Sequence, residues 1–365
     1  MIYVSLTFYS SMEFDSPEAW IKRTEAYAGI LQCIGQKNKV INFKRINYTG
    51  NVIYKNIDYR FHNIGKRDTL FPFKLARYIK SLQPDVILVQ GLHVPVQTII
   101  LRRVLGKNVK IIAQNHAEKP QHGIKKWLQR LADKGIDTYL FASHELGAAW
   151  VKNGNISSSE KIHEVMEISS VFSPMDKTEA KTRTGITGEP VYLWVGRLNE
   201  NKDPLTAVRA FLRFAEIKPS ARLYMIYHTD ELLEPMQTII DLSPHKEAIK
   251  LIGTMPHDEL RYWLSSADFI LSASHYEGSG TAVCEAMSCG CVPVVTDIPS
   301  FRMMTNNGRC GLLFEPGNEH ALLNALKLSC ELNLPEKQKA ALEYFRSNLS
   351  FEAIAGRIQE IAESL

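Results

Sequence analysis

The sequence is notable first for what it lacks. Its 365 residues contain no run of about 18 uninterrupted apolar residues, the length a membrane-spanning helix requires. Its first residues, MIYVSLTFYSS, have no basic stretch ahead of the apolar ones, so they read as a first strand and not as a secretory signal. A cytoplasmic location is the default expectation. The six cysteines, at 33, 284, 289, 291, 310 and 330, include no Cys-x-x-Cys and no histidine cluster at zinc-finger spacing. They are expected to be reduced, buried thiols acting as small apolar residues, with no metal site and no cofactor.

Several catalytic signatures are missing as well. The turn after the first strand reads YSSMEFDSPEAW, without the Gly-x-Gly-x-x-Gly of a dinucleotide-binding enzyme. No Gly-x-x-x-x-Gly-Lys-Ser/Thr occurs, which removes P-loop phosphoryl transfer. EGSGT places a serine between glycines but not at the spacing of a hydrolase nucleophile. No lysine stands out as the carrier a pyridoxal-phosphate phosphorylase would need.

The composition is that of an ordinary soluble protein, with 45% hydrophobic and 22% charged residues, and the length suggests two domains. The net charge of +4 conceals an asymmetry. Residues 1–170 hold 24 Lys/Arg against 14 Asp/Glu, a net +10, whereas the rest hold 19 against 25, a net −6. The basic half has no nucleic-acid-binding signature, so an anionic membrane surface or an acidic acceptor ranks above nucleic acid as its partner.

Short β-branched runs alternate with helix-length segments almost throughout. In the first half the strands are expected at 2–8, 39–43, 85–90, 109–114 and 138–143. In the second they are expected at 191–196, 222–227, 249–253, 269–274 and 292–296. The segments 17–35, 71–82 and 94–105 carry apolar residues at helical spacing. Such alternation builds parallel sheets with helices on both faces. The polar stretch 169–190, broken by Pro and Gly, reads as a linker. The tail, with Phe351, Ile354, Ile358 and Ile361 on one face, reads as a closing helix. The expected division is 1–170, 171–345 and a terminal segment 346–365.

Parallel sheets bind ligands beyond the carboxyl ends of their strands. The most informative such turn is HYEGSGTAVCEAMSCGCVPVV, residues 275–295. It reads as a glycine loop, a helix and a glycine stop at Gly290. A glycine loop at a helix N-terminus presents free backbone N–H groups and the positive end of the helix dipole, an anion site suited to a diphosphate. Glu285 lies one turn into the helix, and its side chain leans back toward the loop. Carboxylates beside a diphosphate would be repelled by it, so the targets of Glu277 and Glu285 are neutral hydroxyls, as on sugars. Cations come from the turn VGRLNENKDP, where Arg197 follows a strand and Lys202 precedes a helix.

Three blocks carry a specific resemblance: VGRLNENKDPLTAVRAF, IKLIGTMPHDELRYWLSSADFILSAS, and HYEGSGTAVCEAMSCGCVPVVTDIPSF followed by GLLFEPGN. Over residues 190–320 they resemble the donor domain of family 4 glycosyltransferases, retaining enzymes that use nucleotide sugars. The resemblance implies a GT-B fold, α/β, with two doubly wound Rossmann-like domains facing a central cleft and a C-terminal helix returning to the first. It also implies that Arg197 and Lys202 hold the diphosphate, Glu277 a hydroxyl of the donor sugar and Glu285 the ribose hydroxyls. Gly196, Gly278, Ser279, Gly280 and Thr281 would line the sugar and phosphate, and Thr254 and Met255 the base. His116 of IIAQNHAEKP falls where the family often has a histidine facing the reacting sugar. No metal is implied.

The first domain departs from the family pattern: SSMEFDSP replaces a glycine-rich loop and EVMEISSVF replaces an Asn-Gly. The expected activity is transfer of a hexose-type sugar from a UDP- or GDP-sugar to a glycan or lipid-linked acceptor. A nucleotide-sugar epimerase and a non-catalytic sugar-nucleotide or glycan-binding subunit are the alternatives. The segment 122–135 places Ile124, Trp127, Leu128 and Leu131 on one face and Lys125, Lys126, Arg130 and Lys134 elsewhere. It reads either as an ordinary packed helix with a basic outer face or as a helix lying on an anionic membrane.

Overall fold

The structure, a computed structural model, describes residues 1–24 and 28–365. It divides into two compact units, one formed by Met1–Ser169 with Phe351–Leu365, the other by Ser170–Ser350.

In the first unit the described residues form an eight-stranded sheet. Its strands are β1 (Ile2–Ser11), β2 (Lys39–Ile46), β3 (Gly50–Tyr54), β4 (Ile57–His62), β5 (Val86–Gln90), β6 (Lys110–Gln114), β7 (Thr138–Phe141) and β8 (Ile162–Glu164). Their order is β3-β4-β2-β1-β5-β6-β7-β8, and only the β3–β4 pair is antiparallel. Val4, Leu6, Ile41, Ile87, Val89, Ile111 and Phe141 form its core. These central strands are apolar on both faces because helices cover both.

The hairpin β3–β4 and the short β8 were not expected. Lys55 and Asn56 make the hairpin turn with φ of 44° and 63°, so no glycine marks it. The helical segment expected over 17–35 is two helices, Pro17–Thr24 and Gly29–Gly35; residues 25–27 lie outside the described residues. The C-terminal helix Phe351–Ser364 belongs to this unit. A Cβ built on Gly29 would lie 2.5 Å from the Phe351 ring, so the missing side chain is what lets the two helices meet.

The second unit is a six-stranded, all-parallel sheet. Its strands are β9 (Val191–Gly196), β10 (Arg222–Tyr227), β11 (Ile249–Gly253), β12 (Phe269–Ser272), β13 (Val292–Thr296) and β14 (Leu312–Phe314). The order is β11-β10-β9-β12-β13-β14. Tyr192 of β9 stacks on Phe269 of β12, ring centroids 4.9 Å apart, and meets Phe211 edge-on at 5.3 Å. Four strands match their sequence bounds, β12 ends two residues early, and β14 was not anticipated.

The linker expected over 169–190 is shorter than its composition suggests, because it contains the helix Lys177–Thr184. Asp176 caps that helix by accepting from the Glu179 amide at 2.9 Å, and Gly185 ends it at φ 68°. Only Ala180 of the helix is buried, so no apolar stripe announced it. Of the cysteines, Cys284, Cys289, Cys291 and Cys310 are buried as expected. Cys330 is instead exposed, because it caps the C-terminus of the surface helix Glu319–Ser329, and Cys33 is half-buried.

Candidate functional site

The second unit brings two turns together at the carboxyl ends of β9 and β12. After β9, which ends at Gly196, the chain runs from Arg197 to Asp203. Asp203 adopts φ 44°, and its carboxylate accepts from the Thr206 amide at 3.2 Å, starting the helix Pro204–Ile217. The Lys202 amide donates back to the backbone O and to Oδ1 of Asn199, both at 3.1 Å.

Beyond β12 the loop 273–280 lies against this turn. The His275 amide donates to the Asn201 carbonyl at 2.8 Å, and Asn201 Nδ2 donates to the Tyr276 carbonyl at 3.0 Å. His275 Nε2 is 3.3 Å from Asp203 Oδ2. The Lys202 ammonium bonds to Glu277 Oε1. Lys202 and Glu277 are only 22% and 12% exposed, so little water screens the pair. Arg197 is exposed at the strand end, with no carboxylate partner among the described residues.

The glycine loop has the form of an anion site. Ser300 Oγ lies 2.6 Å from the Glu277 carbonyl oxygen and 3.0 Å from that of Gly278. Gly280 precedes the helix Thr281–Ser288 with φ 58°, and its carbonyl accepts from the Val283 and Cys284 amides at 3.0 and 3.1 Å. The amides of Thr281 and Ala282 have no partner among the described residues. No acidic residue occupies the first turn of the helix, so its positive end is uncompensated. A Cβ on Gly280 would meet Phe301 Cε1 at 2.6 Å. Both sterics and the left-handed backbone therefore require glycine.

Glu285 is buried, and Oε1 accepts from His257 Nε2 at 2.7 Å. His257 opens the helix His257–Ser266, just after Thr254 and Met255 at the end of β11. This contact ties the Thr254–Met255 turn to the helix that carries Glu285. The neighbouring Cys284 thiol is pushed far above the ordinary range by burial, with the Glu285 charge adding to the effect.

In the first unit, His116 follows β6. Its Nε2 is 2.8 Å from Gln90 Oε1, and its Nδ1 pairs with the buried carboxylate of Glu167. Glu118 stabilises the surrounding loop, accepting from the His116 amide at 2.6 Å, Asn115 Nδ2 at 2.9 Å and the Leu92 amide at 2.9 Å. Tyr9 lies beside Glu118, and burial together with that charge raises its pKa to about 12.

The helix Gly123–Asp133 buries Gln129, Ala132 and Asp133. Ile124 is 80% exposed and Trp127 60%, so the ordinary packed reading of that face is corrected at both residues. Two site partners, His257 and Glu167, escaped the sequence reading. Glu167 sits in EVMEISS, where the family's Asn-Gly is missing, and that substitution was the one available signal.

Residues 176–347 match the family model described as Glycosyl transferases group 1. The D-inositol 3-phosphate glycosyltransferase of Thermobifida fusca is 24% identical over 50% of this chain and 45% of its own length. The GDP-mannose:cellobiosyl-diphosphopolyprenol alpha-mannosyltransferase of Xanthomonas oryzae is 25% identical over 47% of each. The chain thus spans about half the length of these curated relatives. Among solved structures, a glycosyltransferase from Rickettsia africae superposes with a TM-score of 0.75 at 15% identity, over 100% of this chain and 97% of that one. Anabaena Alr3699/HepE in complex with UDP gives 0.73 at 15% identity, over 100% of both chains. Residues 176–347 are therefore similar to the group 1 glycosyl transferases, and the chain has the two-unit GT-B fold of these neighbours.

Proposed function

We propose that the protein is a retaining glycosyltransferase of the family 4 type. It moves a hexose-type sugar from a UDP- or GDP-sugar to a glycan or lipid-linked acceptor in cell-surface polysaccharide or glycolipid synthesis. The observation that carries this reading is the bond from Lys202 to Glu277, which joins the turn that begins at Arg197 to the glycine loop leading into the helix at Thr281. Breakage of the anomeric bond leaves about two negative charges on the departing diphosphate, and preorganised donors stabilise such charge most strongly. Arg197, Lys202 and the Thr281 and Ala282 amides meet that charge without a metal or cofactor. Glu277 accepts from a sugar hydroxyl, Glu285 from the ribose, and Thr254 and Met255 border the base. His116 faces the reacting sugar. The group 1 match and the UDP bound by the Anabaena neighbour support this reading.

Thermal-shift screening against UDP- and GDP-sugars identifies the donor. A donor at 100 times its Kd is expected to stabilise the chain by about 2.7 kcal/mol. Nucleoside diphosphate release that depends on added acceptor establishes transfer. Conversion of donor without any acceptor would instead make the protein an epimerase, and stabilisation without turnover would make it a binding subunit.

The acceptor side is proposed to contact an anionic membrane. No described helix is long and apolar enough to cross one. Ile124 and Trp127, one turn apart and largely exposed, lie among Lys125, Lys126 and Arg130, the composition of an interfacial helix. Co-sedimentation with phosphatidylglycerol vesicles but not with phosphatidylcholine vesicles is expected, and Trp127→Ser is expected to abolish it. Equal sedimentation with both would remove the membrane from this reading.

A further inference from the structure

The buried carboxylate of Glu285 has one side-chain donor among the described residues, His257 Nε2 at 2.7 Å. A desolvated carboxylate depends on its donors both for stability and for orientation. The His257 ring is itself held, because Phe172 packs against it with centroids 4.8 Å apart and planes tilted by 32°. Phe172 is fixed in turn, its amide donating to Ser170 Oγ at 3.0 Å. Ser170 Oγ lies 2.8 Å from Ser288 Oγ, and Ser288 Oγ donates to the Glu285 carbonyl at 2.7 Å. The contacts close a ring, Glu285–His257–Phe172–Ser170–Ser288, which begins and ends on one helical turn.

From this ring we infer that His257 is the positioning residue of the ribose site and that Phe172 clamps it. The inference rests on the assignment of Glu285 to the ribose. His257 occupies Oε1 and fixes the plane of the carboxylate, leaving Oε2 directed at one place. A ribose diol set there donates to a charged acceptor held in advance, so no reorientation opposes binding. A sugar lacking the diol leaves the buried oxygen without a donor. The ring therefore sets discrimination for ribose, and it does so through the segment 170–172 where the second unit begins. That segment is lightly covered: Val171 is 55% exposed, and Val171, Phe172, Ser173 and Met175 line an open pocket of about 410 Å³ with Asp258 and Arg261.

The test is calorimetric binding of UDP and GDP against their 2′,3′-dideoxy counterparts, read as a ratio of dissociation constants. Wild type is expected to prefer the ribonucleotide by about 10–100-fold, the range for hydrogen bonds to a charged group. Glu285→Gln is expected to bring the ratio close to one. If it leaves the ratio intact, the ribose assignment fails and this inference fails with it. His257→Ala is expected to lower the ratio at least fivefold, and His257→Gln, which keeps an N–H donor, to restore part of it. Phe172→Ala should lower the ratio by less than His257→Ala does. Inorganic pyrophosphate binding should stay within twofold in all the variants, which separates lost positioning from general damage to the site. If Glu285→Gln collapses the ratio while both His257 variants keep the wild-type value, the ribose assignment stands and the positioning role of His257 is refuted.

Discussion

The ammonium of Lys202 bonds to Oε1 of Glu277, joining the turn after β9 to the loop after β12. Each side chain is the other's partner in a partly desolvated place, so the two substitutions should not be independent. Lys202→Ala and Glu277→Ala are each expected to lower transfer about 10²–10³-fold, the usual effect of removing one preorganised charge donor or its fixed partner. The double variant should lose clearly less than the product of the two. A double-mutant cycle on kcat/KM checks this, and strict multiplicativity would show that the pair does not act as a unit.

Gly280 tests the glycine loop without touching any charge. Gly280→Ala places a methyl group 2.6 Å from Phe301 Cε1 at a backbone with φ 58°. The left-handed conformation alone costs an L-residue about 1–2 kcal/mol, and the close approach to Phe301 adds to it. A loss of at least ~2 kcal/mol in urea denaturation is expected, together with weaker diphosphate binding as the helix start shifts. Ala at Gly290 also meets a positive φ, 87°, but nothing lies within 4 Å of its Cβ. That substitution should cost less and leave diphosphate binding unchanged.

How far the sequence could be read depended on how local the signal was. The strands of the second unit are buried on both faces, so Val191–Gly196 and Val292–Thr296 appear as unbroken apolar runs. The turn 197–203 and the loop 273–280 could be placed at strand ends for the same reason, since each begins where such a strand stops. The hairpin β3–β4 was not, because its Lys55–Asn56 turn carries no glycine. Nor was the helix Lys177–Thr184, which buries a single alanine. The partners His257 and Glu167 are distant in sequence from Glu285 and His116. Neither periodicity nor spacing reports a contact that only the folded sheets create.

His62, at the end of β4, should give the fold a measurable pH dependence. Burial of its ring lowers its pKa to about 4; a hydrogen bond to the Arg60 backbone opposes this and the nearby Arg45 charge adds to it. Between about pH 4 and the ordinary value of 6.5 the unfolded chain therefore binds the proton that the folded chain refuses. Stability must rise with pH across that window and be lost on acidification. The contribution of this one group is on the order of 3 kcal/mol. Denaturation of the wild type and of His62→Gln at pH 7 and pH 4 isolates it. The wild type should lose more stability on acidification by roughly that amount, and parallel losses would show that the ring titrates normally.

Glu167 belongs to EVMEISSVF, the segment that departs from the family pattern, and its buried carboxylate pairs with His116 Nδ1 while Gln90 Oε1 lies 2.8 Å from Nε2. A ring held at both nitrogens has one orientation. If His116 faces the reacting sugar, Glu167 acts through it and belongs to the chemical step. Glu167→Gln keeps the size and a polar contact but removes the charge. It is expected to lower kcat about tenfold, ~1.4 kcal/mol of transition-state stabilisation, with KM for the donor changed less than twofold. His116→Ala should mask the effect, so that adding Glu167→Gln to it costs nothing further. A Glu167→Gln variant with full kcat would reduce the pair to a structural contact, leaving the first unit's contribution to catalysis to be sought elsewhere on the carboxyl ends of β1, β5 and β6.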